Sequence, residues 1–246
     1  MDSPSLRRET RYGMPAADQI LYNRNYITGY SFYFRQPKWT LEIVDAVSEE
    51  ENTEEVERLD NFRPDYRIPQ TFRADLADFR GSGFDRGHLV ASANQRGIEI
   101  QNSETFLLSN MCPQVPGLNR SVWRKLECAV RSLNQKEEVL ETYCITGPVF
   151  DFDKPVKVIG TDDANQVSIP VPHGFFKSIL TEDVRGNLEM WSFVIPNEEL
   201  DVDDLRTFQV TVTKIEQWTG IILWDQLVGS KIFEEKTTVR KMWDTD

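Results

Sequence analysis

The chain has only two histidines. One of them, His88, closes the tetrapeptide Asp85-Arg86-Gly87-His88 inside the stretch "RGSGFDRGHLVAS". An imidazole titrates near neutrality, so it can take a proton from water at working pH. Further along, Asn119, Trp123, Glu127 and Arg131 recur every four residues. On a helix beginning at Asn119 they share one face, drifting by roughly 40° per step. An amide or carboxylate oxygen can hold a hard divalent cation, and a guanidinium fits phosphate in two-pronged fashion. A base, a cation ligand, a carboxylate and phosphate-binding cations are what hydrolysis of a phosphodiester requires. Each residue also has a plainer reading. His88 could be a core histidine, Asn119 a helix cap, and Glu127–Arg131 a surface pair worth a few tenths of a kcal/mol. Spacing alone does not bring the helical stripe to His88.

The elements that must position these groups follow from local pattern. Residues 26–46, "YITGYSFYFRQPKWTLEIVDA", alternate aromatic or β-branched with polar residues, which predicts two strands turning at Gln36-Pro37. "SEEENTEEVERLD" reads as a loop or short exposed helix, "NFRPDYRIPQ" as irregular and "ADLADFRGSG" as turn-like. "FDRGHLVAS" is a short strand entering a loop, and "ETFLLSNMCPQV" another short strand and turn. The helix from Asn119 carries Trp123, Leu126, Val130 and Leu133 on its apolar side. "EVLETYCITGPVF", "VKVIG", "QVSIPVP", "GFFKSILTE" and "LEMWSFVIP" read as strands, and "TVTKIEQWTGI" as a late helix. Many strands and few helices without βα alternation predict an α+β fold around a mixed or antiparallel central sheet with flanking helices. No composition break divides the chain, so residues 1–246 are expected to form one domain with its core at about 11–230.

Bulk composition narrows the function. No apolar run approaches the ~20 residues of a membrane helix, and the first residues have no apolar core of a secretory signal. Cys112, Cys128 and Cys144 are odd in number, evenly spaced and without a CxxC. That argues against a disulfide framework or structural zinc and for buried thiols in a reducing compartment. Any metal would be held mainly by oxygen, which suits Mg²⁺, Ca²⁺ or Mn²⁺. The net charge of −12 disfavours a phosphate partner, yet residues 45–60 and 198–206 together carry −11 of it. Residues 63–131 instead hold ten basic against seven acidic side chains, and nine of the ten are arginine. The acidic total therefore leaves room for a phosphate-binding centre.

"GSGFDRGHLVASAN" followed by "TFLLSNMCPQVPGLNRSVWRKLECAVR" closely resembles the DNA/RNA non-specific endonucleases of the His-Me finger (ββα-metal) class, with the nearest likeness to the endonuclease G branch. Weaker likeness runs from "RYGMP" through "DNFRPD", "YCITGPVF", "VPHGFFK" and "VIPNE" to "IEQWTGI", covering nearly the whole chain. The resemblance implies a strand–strand–helix metal finger embedded in the α+β fold. It implies His88 as general base, Asn119 as the one direct protein ligand of Mg²⁺ (with Mn²⁺ as a substitute), and Asp85 and Glu127 as holders of the metal's waters. Arg86 and Arg131 would meet phosphate or the transition state, and Arg58, just before "DNFRPD", would join them. Asn94 and Asn110 also match family asparagines and read equally well as turn formers. The implied partners are DNA and RNA, with a homodimer as an option.

The chain departs from the family in two places. A histidine usually stands directly before the paired aromatics; here the order is Pro172-His173-Gly174-Phe175-Phe176-Lys177, so His173 is one place early and reads as structural. The acidic segments 45–60 and 198–206 are unlike a strongly basic nuclease. They keep two rival readings open: a catalytically silent nucleic-acid-binding or regulatory paralogue, and a hydrolase of small phosphodiesters. The resemblance implies a mitochondrial location; if the chain is complete as given it is expected to act in the cytoplasm, and otherwise a targeting segment lies outside this sequence.

Overall fold

The computed structural model describes residues 7–44, 56–160, 167–202 and 204–245. Most of the acidic run at 45–60 lies outside them, as do Gln166 and Asp203. Strands β1 (Gln19–Tyr22), β2 (Tyr26–Ser31) and β3 (Gln36–Ile43) open the chain. A one-turn α1 (Leu76–Phe79) precedes β4 (Asp85–His88), and α2 (Glu99–Thr105) precedes β5 (Met111–Gln114). A one-turn α3 (Pro116–Leu118), a π turn (Asn119–Trp123) and α4 (Arg124–Asn134) then form one continuous helical arm. β6 (Val139–Val149), β7 (Val158–Ile159), β8 (Ile169–Pro170), β9 (Gly174–Asp183), β10 (Leu188–Pro196) and β11 (Gln209–Val210) follow, and α5 (Val212–Thr219) and α6 (Ser230–Thr237) close the chain.

Seven strands make the main sheet in the order β1-β2-β3-β6-β9-β10-β11, and every strand pairing in it is antiparallel. The fold is α+β, and the mixed alternative is excluded for the described strands. The turn expected at Gln36-Pro37 lies earlier, at Phe32–Arg35, where Arg35 adopts φ 53°. Pro37 already pairs with Tyr30 beside an irregularity in the ladder, one of the few sheet positions where a missing N–H is tolerated. β1, α2 and α6 were not expected, because each is short and none shows a clean period.

The sheet is covered on both faces because consecutive strand residues point to opposite sides. Phe175 and Ile179 of β9 join Trp123, Leu126, Val130 and Leu133 of the helical arm in one core cluster. Phe176 and Leu180 join Val212 and Ile215 of α5 and Trp224 in another. Each large apolar side chain buried this way contributes roughly 1.5–3 kcal/mol. Burial of Leu126, Ala129, Val130 and Leu133 at helical spacing fixes which way α4 faces, and so which residues it turns outward.

Candidate active site

β4 and β5 pair antiparallel, with Asp85 opposite Gln114 and His88 opposite Met111. Together with the helical arm they form the strand–strand–helix unit that carries Asp85, Arg86, His88, Asn119, Glu127 and Arg131. Gly81 and Gly83 turn the chain into β4 with φ of 71° and 82°, the left-handed region that glycine enters at no steric cost. Gly87 is needed for a different reason. A Cβ there would lie 2.1 Å from Gln114 Oε1, so only glycine lets the buried Gln114 side chain cross the strand.

Side-chain hydrogen bonds from Asn119, Arg120 and Trp123 tie the arm to β4. Asn119 Nδ2 donates to Asp85 Oδ2 at 2.9 Å, and Trp123 Nε1 donates to the His88 carbonyl at 3.3 Å. The arm begins at Pro116, after Val115, and Asn119 therefore lies inside it rather than capping it. The stripe expected at 119, 123, 127 and 131 is correspondingly split. Asn119, Glu127 and Arg131 line a cleft, while the Trp123 ring turns into the core against Phe175 at 5.6 Å. The π turn inserts an extra residue there, a device found at many functional sites.

That cleft, about 280 Å³, is lined by Arg58, Arg86, His88, Asn119, Glu127 and Arg131 among others. Asp85 is its neighbour, reached through Asn119 and gripped in addition by Arg120 at 2.7 and 2.9 Å. The seven residues singled out in the sequence are thus brought together. A larger cavity of about 770 Å³ lies elsewhere, around Arg7, Tyr22 and Leu140, and contains none of them.

His88 is partly buried against an aromatic corner, with ring centres 5.6 Å from Phe62 and 5.1 Å from Phe106. The Arg86 guanidinium lies 4.0 Å over Phe62 and that of Arg58 5.0 Å over Phe106. Burial first, then the charges of Arg58 and Arg86, push the His88 pKa down to about 3. The imidazole is therefore neutral at working pH. Its Nε2 is buried with no hydrogen-bond partner among the described residues.

Burial pushes the Glu127 carboxyl up to about 7 against the pull of Lys177 and Arg131, with Glu42 adding to the rise. Asp85 is held below the usual carboxylate range: burial raises it, but hydrogen bonds from Arg120 and Asn119 outweigh that. Among the described residues no three His, Cys, Asp or Glu side chains cluster to cage a metal. The oxygens that could serve a cation are the carbonyl of Asn119, whose N–H is committed to Asp85, and the carboxylates of Asp85 and Glu127. This all-oxygen set fits a hard, largely hydrated ion such as Mg²⁺.

The remaining expectations separate cleanly. Asn110 is a structural clamp: it accepts from Val90 N–H and donates to the carbonyls of Val90 and Thr105. Asn94 is more than a turn former, since Arg131 Nη1 donates to its Oδ1 at 3.0 Å. His173 Nδ1 accepts from the Asp151 N–H at 3.0 Å, which pins a loop away from the cleft lining. Cys112 and Cys144 are buried as expected, but Cys128 is exposed, with its Sγ 3.1 Å from Arg131 Nη2. Arg120 and Arg124 also line the cleft and were passed over in the sequence. Their position one and five residues after Asn119 was the available signal.

The family profile of the DNA/RNA non-specific endonucleases matches residues 4–229. Mitochondrial endonuclease G of Homo sapiens is 35% identical over 86% of this chain and 71% of its own length. Nuclease C1 of Cunninghamella echinulata var. echinulata is 33% identical over 92% of this chain and 90% of its own. A chain in the crystal structure of the EndoG/EndoGI complex superposes with a TM-score of 0.81 at 34% identity, covering 94% of both chains. With that profile matched along almost its full length and a fold shared with these nucleases, the chain belongs to the DNA/RNA non-specific endonuclease family.

Proposed function

We propose that this protein hydrolyses phosphodiester bonds within both DNA and RNA in a Mg²⁺-dependent reaction, with His88 as general base and Asn119 as the direct protein ligand of the cation. The observation that carries this reading is the convergence of His88, Asn119, Glu127, Arg58, Arg86 and Arg131 on one cleft. With Nε2 shut away, Nδ1 is the nitrogen that His88 offers to an attacking water. The aromatic corner of Phe62 and Phe106 holds the ring in place, and burial there with the charges of Arg58 and Arg86 keeps it unprotonated before substrate arrives.

Arg86 and Arg131 face the scissile phosphate and offset its charge, and Arg58, anchored by Asp60 and Ser92, joins them at the rim. Asn119 would hold the cation through its carbonyl, while Asp85 and Glu127 would accept hydrogen bonds from the waters around it. When bound, the ion supplies Lewis-acid stabilisation of the phosphate and its leaving oxygen. None of these contacts reads a base or a sugar, which supports action on both nucleic acids. The names of the relatives support a mitochondrial location.

The deciding experiment is digestion of supercoiled plasmid and single-stranded RNA with Mg²⁺ and with EDTA, beside His88→Ala. Mg²⁺-dependent cutting of both, lost in the variant, is the expected result. A well-folded wild-type protein that binds nucleic acid and cuts neither substrate would replace this reading by that of a silent binding paralogue.

A further inference from the structure

Beneath the cleft lies a polar layer in a place that hydrophobic residues normally fill. Glu42, Lys177, Asn94 and Gln95 are all buried, at 1%, 2%, 4% and 1% exposure. Strand alternation puts the two charges there. Glu42 of β3 is opposite Cys144 of β6, and Thr146, two residues on, is opposite Lys177 of β9. That row shares a sheet face with Phe175 and Ile179, the face covered by the helical arm. Lys177 Nζ donates to Thr146 Oγ1 at 2.7 Å and stands 5.2 Å from the centre of the Trp123 ring. Buried charges are costly, and apolar replacements often stabilise a fold as well or better. Stability alone therefore does not account for this layer.

Its hydrogen bonds point to the cleft. A carboxylate only accepts, and both Glu42 oxygens take the Asn94 Nδ2 group, at 3.1 and 3.2 Å. The amide is thereby oriented with its carbonyl outward, where Oδ1 accepts from Arg131 Nη1 at 3.0 Å. Reversing the amide would set its NH₂ against the guanidinium, donor against donor. We propose that Glu42 is a positioning residue for Arg131, acting through the fixed orientation of the Asn94 amide. Lys177 supplies the countercharge: burial raises the Glu42 pKa, and Lys177 is the largest influence opposing it. The inference rests on the reading of Arg131 as a phosphate-binding group.

The test replaces the buried pair by apolar side chains, Glu42→Leu with Lys177→Met, which removes the anchor of Asn94 without stranding a charge. Cleavage of a defined oligonucleotide and thermal unfolding are followed together. The expected result is an unfolding temperature at or near wild type, a kcat lower by roughly ten- to a hundredfold, and a smaller change in KM. In an Arg131→Ala background the same pair of changes should cost less than about twofold, because the group being positioned is already gone. Wild-type kcat in the folded variant, or an undiminished loss in the Arg131→Ala background, overturns the proposal. If the double variant does not fold, Asn94→Ala is put through the same cycle with the same two outcomes. A crystal structure of the variant decides independently of activity, even if the wild-type protein cuts nothing and the nuclease reading falls. Arg131 released from Asn94 supports the proposal, and Arg131 still bonded to Asn94 Oδ1 overturns it.

Discussion

Asn119 and Asp85 are joined by a 2.9 Å hydrogen bond from Nδ2 to Oδ2, which ties the helical arm to the first strand of the finger. The bond determines which end of the Asn119 amide is left for a cation. Removing the partner frees the amide to rotate, and lost second-layer partners typically cost 10–100-fold in metal affinity. Asp85→Ala should raise the Mg²⁺ concentration for half-maximal cleavage by about that factor, and Asn119→Ala by at least as much. Titrating Mg²⁺ into a cleavage assay checks both. An unchanged midpoint in Asn119→Ala would remove that residue from the metal.

His88→Ala should lower kcat by roughly 10²–10⁴-fold, the usual share of a general base, while the protein remains folded. The same residue shapes stability against pH. Its folded pKa, about 3, lies below the ordinary value of 6.5. Between those values the unfolded chain binds the extra proton and the folded one does not. Stability from this residue is therefore complete above about pH 6.5 and is lost as pH falls toward 3. Unfolding temperature plotted against pH should be flatter for His88→Ala over that window. Parallel curves would mean that the folded imidazole titrates normally.

Gly87→Ala tests the close approach of Gln114. The new methyl would meet the Gln114 side chain at 2.1 Å, an overpacking that costs about 1–3 kcal/mol. The unfolding temperature should drop by several degrees, and Gln114→Ala in the same chain should restore part of it. Failure of the second change to help would put the clash elsewhere.

The two rim arginines should behave differently. Arg86 rests on Phe62 and has no hydrogen-bond partner or ion pair among the described residues, whereas Arg58 is held by Asp60 and Ser92. Arg86→Ala should raise KM for an oligonucleotide roughly tenfold or more and reduce the salt dependence of binding by about 0.7–0.9 in log–log slope. Asp60→Ala removes the carboxylate that competes for Arg58 and should give a smaller effect of the opposite sign, a slightly lower KM and a steeper salt dependence. Salt titrations of oligonucleotide affinity distinguish these outcomes from a loss of fold, which would abolish binding outright.

Strands β2, β3, β6, β9 and β10 of the central sheet and most of the helical arm were legible because a buried face imposes its period on the residues that form it. Trp123, Leu126, Val130 and Leu133 announce the arm, and "YCITGPVF" and "GFFKSILTE" announce β6 and β9. The turn before Gln36 was misplaced because a proline inside a ladder looks like a turn unless the irregularity that accommodates it is known. The π turn at Asn119 has no signature in residue type, since it arises where Trp123 must enter the core while Asn119 stays beside Asp85.

Glu42 and Lys177 mark where local pattern stops. Each sits in a strand among apolar neighbours, where a lone charge ordinarily reads as a solvated position. What residue type and order determined was the set of candidate groups: one histidine behind Asp-Arg-Gly, an amide, a carboxylate and the arginines, because these chemistries are properties of single side chains. What only the tertiary structure decided was their company. Covering both sheet faces buries Glu42 and Lys177 under the cleft, turns the Asn94 carbonyl toward Arg131 and closes an aromatic corner around His88. Those relations depend on strand register and helix rotation, which are set by packing across residues far apart in the chain.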